Sequence, residues 1–344
     1  MSEEFVLIDA QKIRGPFYAA LKKAQVRDDV AKWMVEGLIQ ASLRGIDSHG
    51  IRLLPHYLKG FEGGRLNKSP NYTFKKTGAA VGKLDGDHAP GHAAGAEGMQ
   101  KAIELARQAG IGAVAVHNSS HFGAAAYYAF MAAEQDMIGM SFTNATAHVL
   151  PYGGVRPFFG NNPVCLVAPC EGEDPICFDM ATTVATFNKV QQYKEQKKNI
   201  PIGWAVDKEG RDTEDPFNVE SLLPIGAYKG FGLSMMVDIL CSLLTGSPSG
   251  TEVTAMFDTD MGSKRYLGQF FIAISIAAFE DPVVFKKRLK KSMDDLRGEP
   301  KLTADNPVMA PGDPEKKHFA VRSKDGIPVP KTLIEQFKGL GILD

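Results

Sequence analysis

At 344 residues the chain is longer than a single hydrophobic core usually organises, so two domains, or one large domain with a satellite, are expected. Apolar residues make up 44% of it and charged residues 23%, with a formal net charge of −1; that balance lacks the basic surface a phosphate backbone requires, so no nucleic-acid partner is expected. The segment MSEEFVLIDAQK opens acidic and lacks the apolar stretch of a secretory signal. The runs LSMMVDILCSLLTG and FFIAISIAAF are too short to span a bilayer, and the first also carries Asp238. The expectation is a cytoplasmic protein with no membrane partner.

Cys165, Cys170, Cys177 and Cys241 form no CxxC pair and read as buried reduced thiols. Asn118-Ser-Ser and Asn144-Ala-Thr match the glycosylation pattern, but with no export signal they are read as unmodified.

In chain order, apolar spacing predicts a helix over 28–43, with Gly45 suited to its C-terminal turn. The stretch RGIDSHGIRLLPHYLKGFEGG, 44–64, follows. If a helix runs from His49, then His49, Arg52 and His56 share one face, because offsets of three and seven residues nearly complete whole turns at about 100° each. Pro55 offers the alternative that the helix begins near Leu54, which loosens that shared direction. A second helix over 93–108 closes at Gly110 and leads into the apolar strand IGAVAV; AAAYYAFMAAEQ and MIGMSF repeat the order, making 91–143 an alternating α/β segment. GNNPVCLVAP and PICFDM read as two strands at hairpin spacing, KGFGLSMMVDILCSLLTG as a helix and GQFFIAISIAAF as a strand. Asp281-Pro282 is a good N-cap and first-turn pair for a helix showing Phe285, Leu289 and Met293 on one side, with Gly298 after its end. TADNPVMAPGDPEKKH looks irregular, and no internal repeat is present.

The polar concentrations need separate weighing. GHAAGAEG, GIGAVA and GFGLSM each miss the G-x-G-x-x-G fingerprint and no P-loop occurs, so a dinucleotide, if bound, is not held in the Rossmann manner. The histidines show no zinc spacing, and no metal is expected. HNSSHFGAAAYY, 117–128, sits where a strand yields to a helix, a common place for chemistry; a helix N-terminus beside His121 would favour its neutral form. Alone, His49 or His121 reads sooner as a satisfied structural histidine than as a catalyst. PYGGVRPFFGNNP, 151–163, reads as a crossover, and Lys229 in GAYKGFG as either a phosphate contact or a solvated lysine.

Taken in order, RGIDSHGIRLLPHY, NSSHFGAAAYYA, GNNP, FDMATT, IPIGWAVDKEGRDTEDP, LLPIGAYKGFGL and MAPGDPE resemble the malate/L-lactate dehydrogenase family, which is distinct from the Rossmann-type lactate and malate dehydrogenases. The family also holds ureidoglycolate and sulfolactate dehydrogenases, diketogulonate reductase and cyclic imino acid reductases. The resemblance implies an α/β (α+β) fold: a non-Rossmann NAD(P)-binding domain over 76–281, with a mixed, largely antiparallel sheet flanked by helices, and a mainly helical domain built from both termini, 1–75 and 282–344. It implies a homodimer with active sites between subunits, NAD or NADP as cofactor, and a 2-hydroxy or 2-oxo acid as the small-molecule partner. By the same resemblance His49 and His121 are the two candidates for proton transfer, and Asp179, Met180, Ala181, Lys229, Gly312, Asp313 and Pro314 the cofactor-binding positions. Gly15-Pro16, interrupting the first helix, and Phe187-Asn188, bulkier than usual, depart from the family pattern.

The chemistry asks for these residue types. Oxidising a 2-hydroxy acid needs a base for the hydroxyl proton while hydride leaves the same carbon, and a histidine neutral near pH 7 serves both directions. A substrate carboxylate needs a planar, two-pronged cation, for which Arg52 is the candidate, with Tyr57 or His56 lining the pocket. The function expected is NAD(P)-dependent interconversion of malate/oxaloacetate or a lactate-like pair, the alternative being reduction of a ureido, sulfo, sugar or cyclic imino acid. Rivals outside the family are a hydro-lyase or isomerase, which would bind no nucleotide, and a ligand-binding protein without catalysis.

Overall fold

The computed structural model describes residues 4–257 and 259–343. Strand β1 (Phe5–Ile8) leads into helices α1 (Ala10–Lys23) and α2 (Asp28–Leu43). Asp9 starts α1 by accepting the Gln11 N–H at 2.8 Å. The helix continues through Gly15-Pro16, contrary to the expected interruption: Ile13, Phe17 and Leu21 are buried on its inner side, and their burial outweighs the one hydrogen bond proline removes. Gly45, at φ +84°, turns the chain after α2. Two single 3₁₀ turns, Asp47–His49 and Ile51–Leu53, then precede α3 (Leu54–Glu62). They are separate because Gly50 between them is extended, φ −93° and ψ −152°. Pro55 lies in the first turn of α3, where its missing N–H costs no helical bond.

The sheet region follows: β2 (Thr73–Lys76), β3 (Val81–Asp85), α4 (Gly91–Ala109), β4 (Ile111–Ser119), α5 (Ala126–Ala133), β5 (Met137–Thr143), β6 (Val164–Ala168) and β7 (Ile176–Met180). Next come α6 (Phe187–Glu195), the short pair β8 (Ala205–Val206) and β9 (Ser221–Leu222), α7 (Tyr228–Asp238) with a π-helical continuation at Ile239–Leu243, and β10 (Leu267–Ser275). The chain ends with α8 (Pro282–Arg297), α9 (Asp313–Asp325), β11 (Ile327–Pro330) and α10 (Lys331–Gly339).

Seven strands form one mixed sheet in the order β2-β3-β4-β10-β5-β6-β7. Every neighbouring pair is antiparallel except β3–β4. Although helix and strand alternate over 91–143, β4 and β5 are not neighbours: β10 inserts between them, Phe271 facing Val114 on one side and Ser141 on the other. Helix α4 lies close on this sheet because its contact side is small: a Cβ on Gly98 would stand 2.7 Å from Val116 and 2.8 Å from Phe271.

Two main cores result. One gathers Phe17, Leu38, Tyr57 and Phe61 with Val329 and Phe337, so both ends of the chain build it; β1 and β11 pair antiparallel at its edge. The other, under the sheet, holds Leu84, Met99, Val116, Tyr128 and Phe271. Helix α8 starts at Asp281, whose Oδ1 accepts the Val283 and Val284 N–H groups at 2.8 and 3.1 Å. It has no fully buried residue and does not join the terminal core, although the domain boundary expected at 282 placed it there. Its charges tie it to the sheet side instead: Lys286 to Asp136 at 2.8 Å and Arg297 to Glu173 at 2.9 Å.

The π-helical stretch crosses directly over the start of β10, where a Cβ on Gly268 would fall 1.5 Å from the Cys241 carbonyl oxygen. Backbone cannot yield as a side-chain tip can. Gly268→Ala is therefore expected to lower stability by about 3 kcal/mol or more, read from the urea unfolding midpoint.

Candidate active site

A cleft of about 1800 Å³ runs between the terminal core and the sheet, bounded by α2, the turn holding His49, the 121–135 segment, the end of β7, α6 and the 309–319 turn. Ordinary small-ligand pockets reach ~1,000 Å³, so there is room for a ligand much larger than one small acid. At one end the rings of His49 and His121 stack, 5.6 Å apart and 22° from parallel. Their backbone positions are far apart in sequence: His49 ends the first 3₁₀ turn, and His121 lies in the loop from β4 to α5.

Each imidazole has a hydroxyl on its Nδ1. Tyr57 Oη is 2.6 Å from His121 Nδ1, and Ser48 Oγ 2.8 Å from His49 Nδ1. Nε2 of each ring has no protein partner among the described residues. Tyr57, 2% exposed, is anchored in the terminal core and packed edge-on by His92 at 5.2 Å. Burial pushes the His49 pKa down to about 4. His121 is also held well below its ordinary value, by burial first and then by the neighbouring His49 and Arg265. Both rings are neutral at pH 7. The helix terminus expected to depress His121 is engaged elsewhere: the Ala126 N–H that opens α5 donates to Asp179 Oδ2 at 2.9 Å.

Arg265 lines the same end, just before β10. It is 3% exposed; Nε donates to the Thr254 carbonyl at 3.0 Å and one Nη to Thr146 Oγ1 at 2.9 Å. Burial lowers its pKa to about 9, leaving it cationic near neutrality. The sequence reading missed it because it stands in SKRYLG with no motif around it; the weak signal available was an arginine directly ahead of a strongly apolar strand.

The structure brings together in one cleft His49, His121, Asp179, Met180, Ala181, Gly312 and Pro314. Gly312 lines it in a left-handed conformation, φ +92°, packed so closely that a Cβ would meet the Cys177 backbone N at 3.1 Å. Three expected residues stand outside. Arg52 is exposed and opens on a neighbouring shallow cavity of about 370 Å³ with His56 and Lys59; the extended Gly50 breaks the continuous helix that would have aligned Arg52 with His49. A Cβ at Gly50 would be 2.0 Å from Ser42 Oγ, so only glycine fits at this bend. Lys229, in the first turn of α7, is exposed and faces away from its own cleft. Asp313 is consumed by structure: its carboxylate takes Arg297 at 2.7 and 2.9 Å and the Ala310 N–H at 2.8 Å, fixing the turn whose neighbours reach the cleft. Of the two lining candidates, Tyr57 reaches the histidines, whereas His56 packs on Phe257. Among the described residues no trio of His, Cys, Asp or Glu is placed to hold a metal ion, and no helix is long and apolar enough to cross a membrane.

The model of the malate/L-lactate dehydrogenase family matches residues 8–338. The chain belongs to that family. It is 37% identical over 346 residues to a malate dehydrogenase of Pyrococcus abyssi, covering 98% of this chain and 94% of that one. It is also 37% identical over 292 residues to the NAD(+) ureidoglycolate dehydrogenase of Escherichia coli, covering 85% and 83%. Among solved structures, the malate dehydrogenase of Entamoeba histolytica superposes with a TM-score of 0.93 at 30% identity, over 98% of both chains. The family's non-Rossmann sheet accounts for the absent glycine fingerprint.

Protons enter the equilibrium here with a definite sign. His49 and His92, with folded pKa values of about 4 and about 3 against an ordinary 6.5, take up protons on unfolding, so their contribution to stability is complete above pH 6.5 and is lost as pH falls toward 4. The urea midpoint is expected to drop steadily across that window, and His92→Phe to flatten the slope.

Proposed function

We propose that the cleft holds NAD or NADP beside a small 2-hydroxy or 2-oxo acid, and that the chain interconverts the two acids, of the malate or lactate type, by hydride transfer. As a member of its family it is a 2-hydroxy acid dehydrogenase. The observation that carries the reading is the meeting of His49, His121 and Arg265 at one end of a cleft too large for the acid alone. A bound dinucleotide would supply the nicotinamide carbon that gives or receives hydride. The Gly312 cradle, with no room for a side chain, and the accessible Asp179, Met180 and Ala181 fit such a ligand, and these residues with Pro314 would hold it.

Arg265 would bind the substrate carboxylate through the guanidinium edge its threonine partners leave open. The proton is assigned to His121 because Tyr57 is the more rigidly held partner. Tyr57 Oη can accept the Nδ1–H of the neutral His121 ring, which leaves the Nε2 lone pair free: Nε2 takes the hydroxyl proton in oxidation, forming the imidazolium, and the imidazolium returns that proton in reduction. His49, stacked alongside and oriented by Ser48, closes the pocket wall.

A homodimer with active sites between subunits belongs to the same reading. Its support is the apolar face of α7 and its continuation, where Tyr228, Met236 and Leu243 are 61%, 58% and 63% exposed. Lys229 stands beside that face, which favours a role for it at the partner's cofactor.

Loss of reduced-dinucleotide absorbance with a panel of 2-oxo acids tests the function; no loss with NADH or NADPH would sink it. Arg265→Lys is expected to raise the KM for the acid ~100-fold while leaving dinucleotide affinity within about twofold. Tyr57→Phe is expected to lower kcat about 10- to 100-fold with little change in KM.

A further inference from the structure

Several large apolar and flat groups line the cleft that holds His121. Arg265 is tied through the Thr254 carbonyl to the segment carrying Met256 and Phe257, and these two line the cleft together with Leu53. Leu53 occupies the position that the Gly50 kink turns inward while Arg52 turns out. Another part of the wall is a flat stack of His148 on Phe187, centroids 4.5 Å apart and 8° from parallel. Burial, with a contribution from Arg265, keeps His148 neutral at pH 7.

The other cations nearby are committed elsewhere. Arg65 is bound by the Met256, Asp260 and Ser263 carbonyls and the Thr259 hydroxyl. Lys189 also lines the cleft, but its ammonium lies over the Trp204 ring, 5.7 Å from the centroid, and Arg52 faces the shallow outer cavity. One buried cation balances one carboxylate. A second anionic group on the same small acid would meet leucine, methionine and aromatic surface, losing its hydration with no charge to replace it.

We infer that the chain acts on 2-hydroxy and 2-oxo acids bearing a single negative charge and an uncharged, apolar or flat side chain, in preference to dicarboxylic and sulfonated ones. This rests on the dehydrogenase reading and narrows it. The phenyl or branched alkyl group of such an acid would lie on the His148–Phe187 stack and against Leu53 and Met256, while its carboxylate takes Arg265.

Steady-state kinetics of the full chain with 4-methyl-2-oxopentanoate, phenylpyruvate, oxaloacetate and sulfopyruvate, each with NADH and NADPH, tests it. The kcat/KM for at least one of the first two is expected to exceed that for either dianion by ~10-fold or more. Leu53→Arg is expected to narrow the gap by lowering the KM for oxaloacetate, and Met256→Lys, at a half-buried position, gives the same reading if the first variant does not fold. A wild-type chain that prefers oxaloacetate or sulfopyruvate overturns the inference and leaves the dehydrogenase reading standing. Turnover of none of the four acids overturns both.

Discussion

The hydrogen bond between Tyr57 and His121 joins two parts of the molecule deep in the cleft. Tyr57 belongs to the core built from the two chain ends, His121 to the loop that leaves the sheet after β4. Because the phenol is buried and braced by His92, the imidazole is oriented by the helical core as well as by its own loop. The catalytic end of the cleft is thus a seam, and its geometry holds only while both cores are folded and in register.

The sheet order makes the seam useful. Inserting β10 antiparallel between β4 and β5 carries Arg265, two residues ahead of the strand, to the end of the sheet from which His121 also emerges. A doubly wound parallel sheet would place the ligand at a glycine-rich first turn; here the corresponding space is made by a left-handed glycine at 312 and the end of β7, an edge strand. In the proposed reading, charge recognition and proton transfer therefore come from opposite halves of the chain.

Much of the local structure was readable from the residues. Periodicity located α2, α4, α5 and the hairpin of β6 and β7, Gly45 and Gly110 marked helix ends, and Asp281-Pro282 marked a start, since each signal depends on neighbours within a turn or two. The pairing of β10 was not readable, because it depends on contacts between residues more than a hundred positions apart. The gathering of His49 with His121 could be reached only through the family resemblance. Arg52 shows the limit of spacing arguments: an angle of about 100° per residue holds inside one helix, and a single extended glycine, required by Ser42 behind it, sends the next side chain outward. Arg265 stood in no motif, and its place ahead of an apolar strand is a weak signal, since burial among neutral oxygens leaves little trace in sequence.

That same burial has a thermodynamic corollary. Arg265 is held by a carbonyl and a hydroxyl, neither of which carries charge, and Arg65 nearby adds to the positive field. The folded protein thus stores an electrostatic deficit that an anion can make good, and whatever anion fills the site pulls the folding equilibrium toward the native state by mass action. The enzyme's durability and the supply of its acid are, in this sense, the same variable.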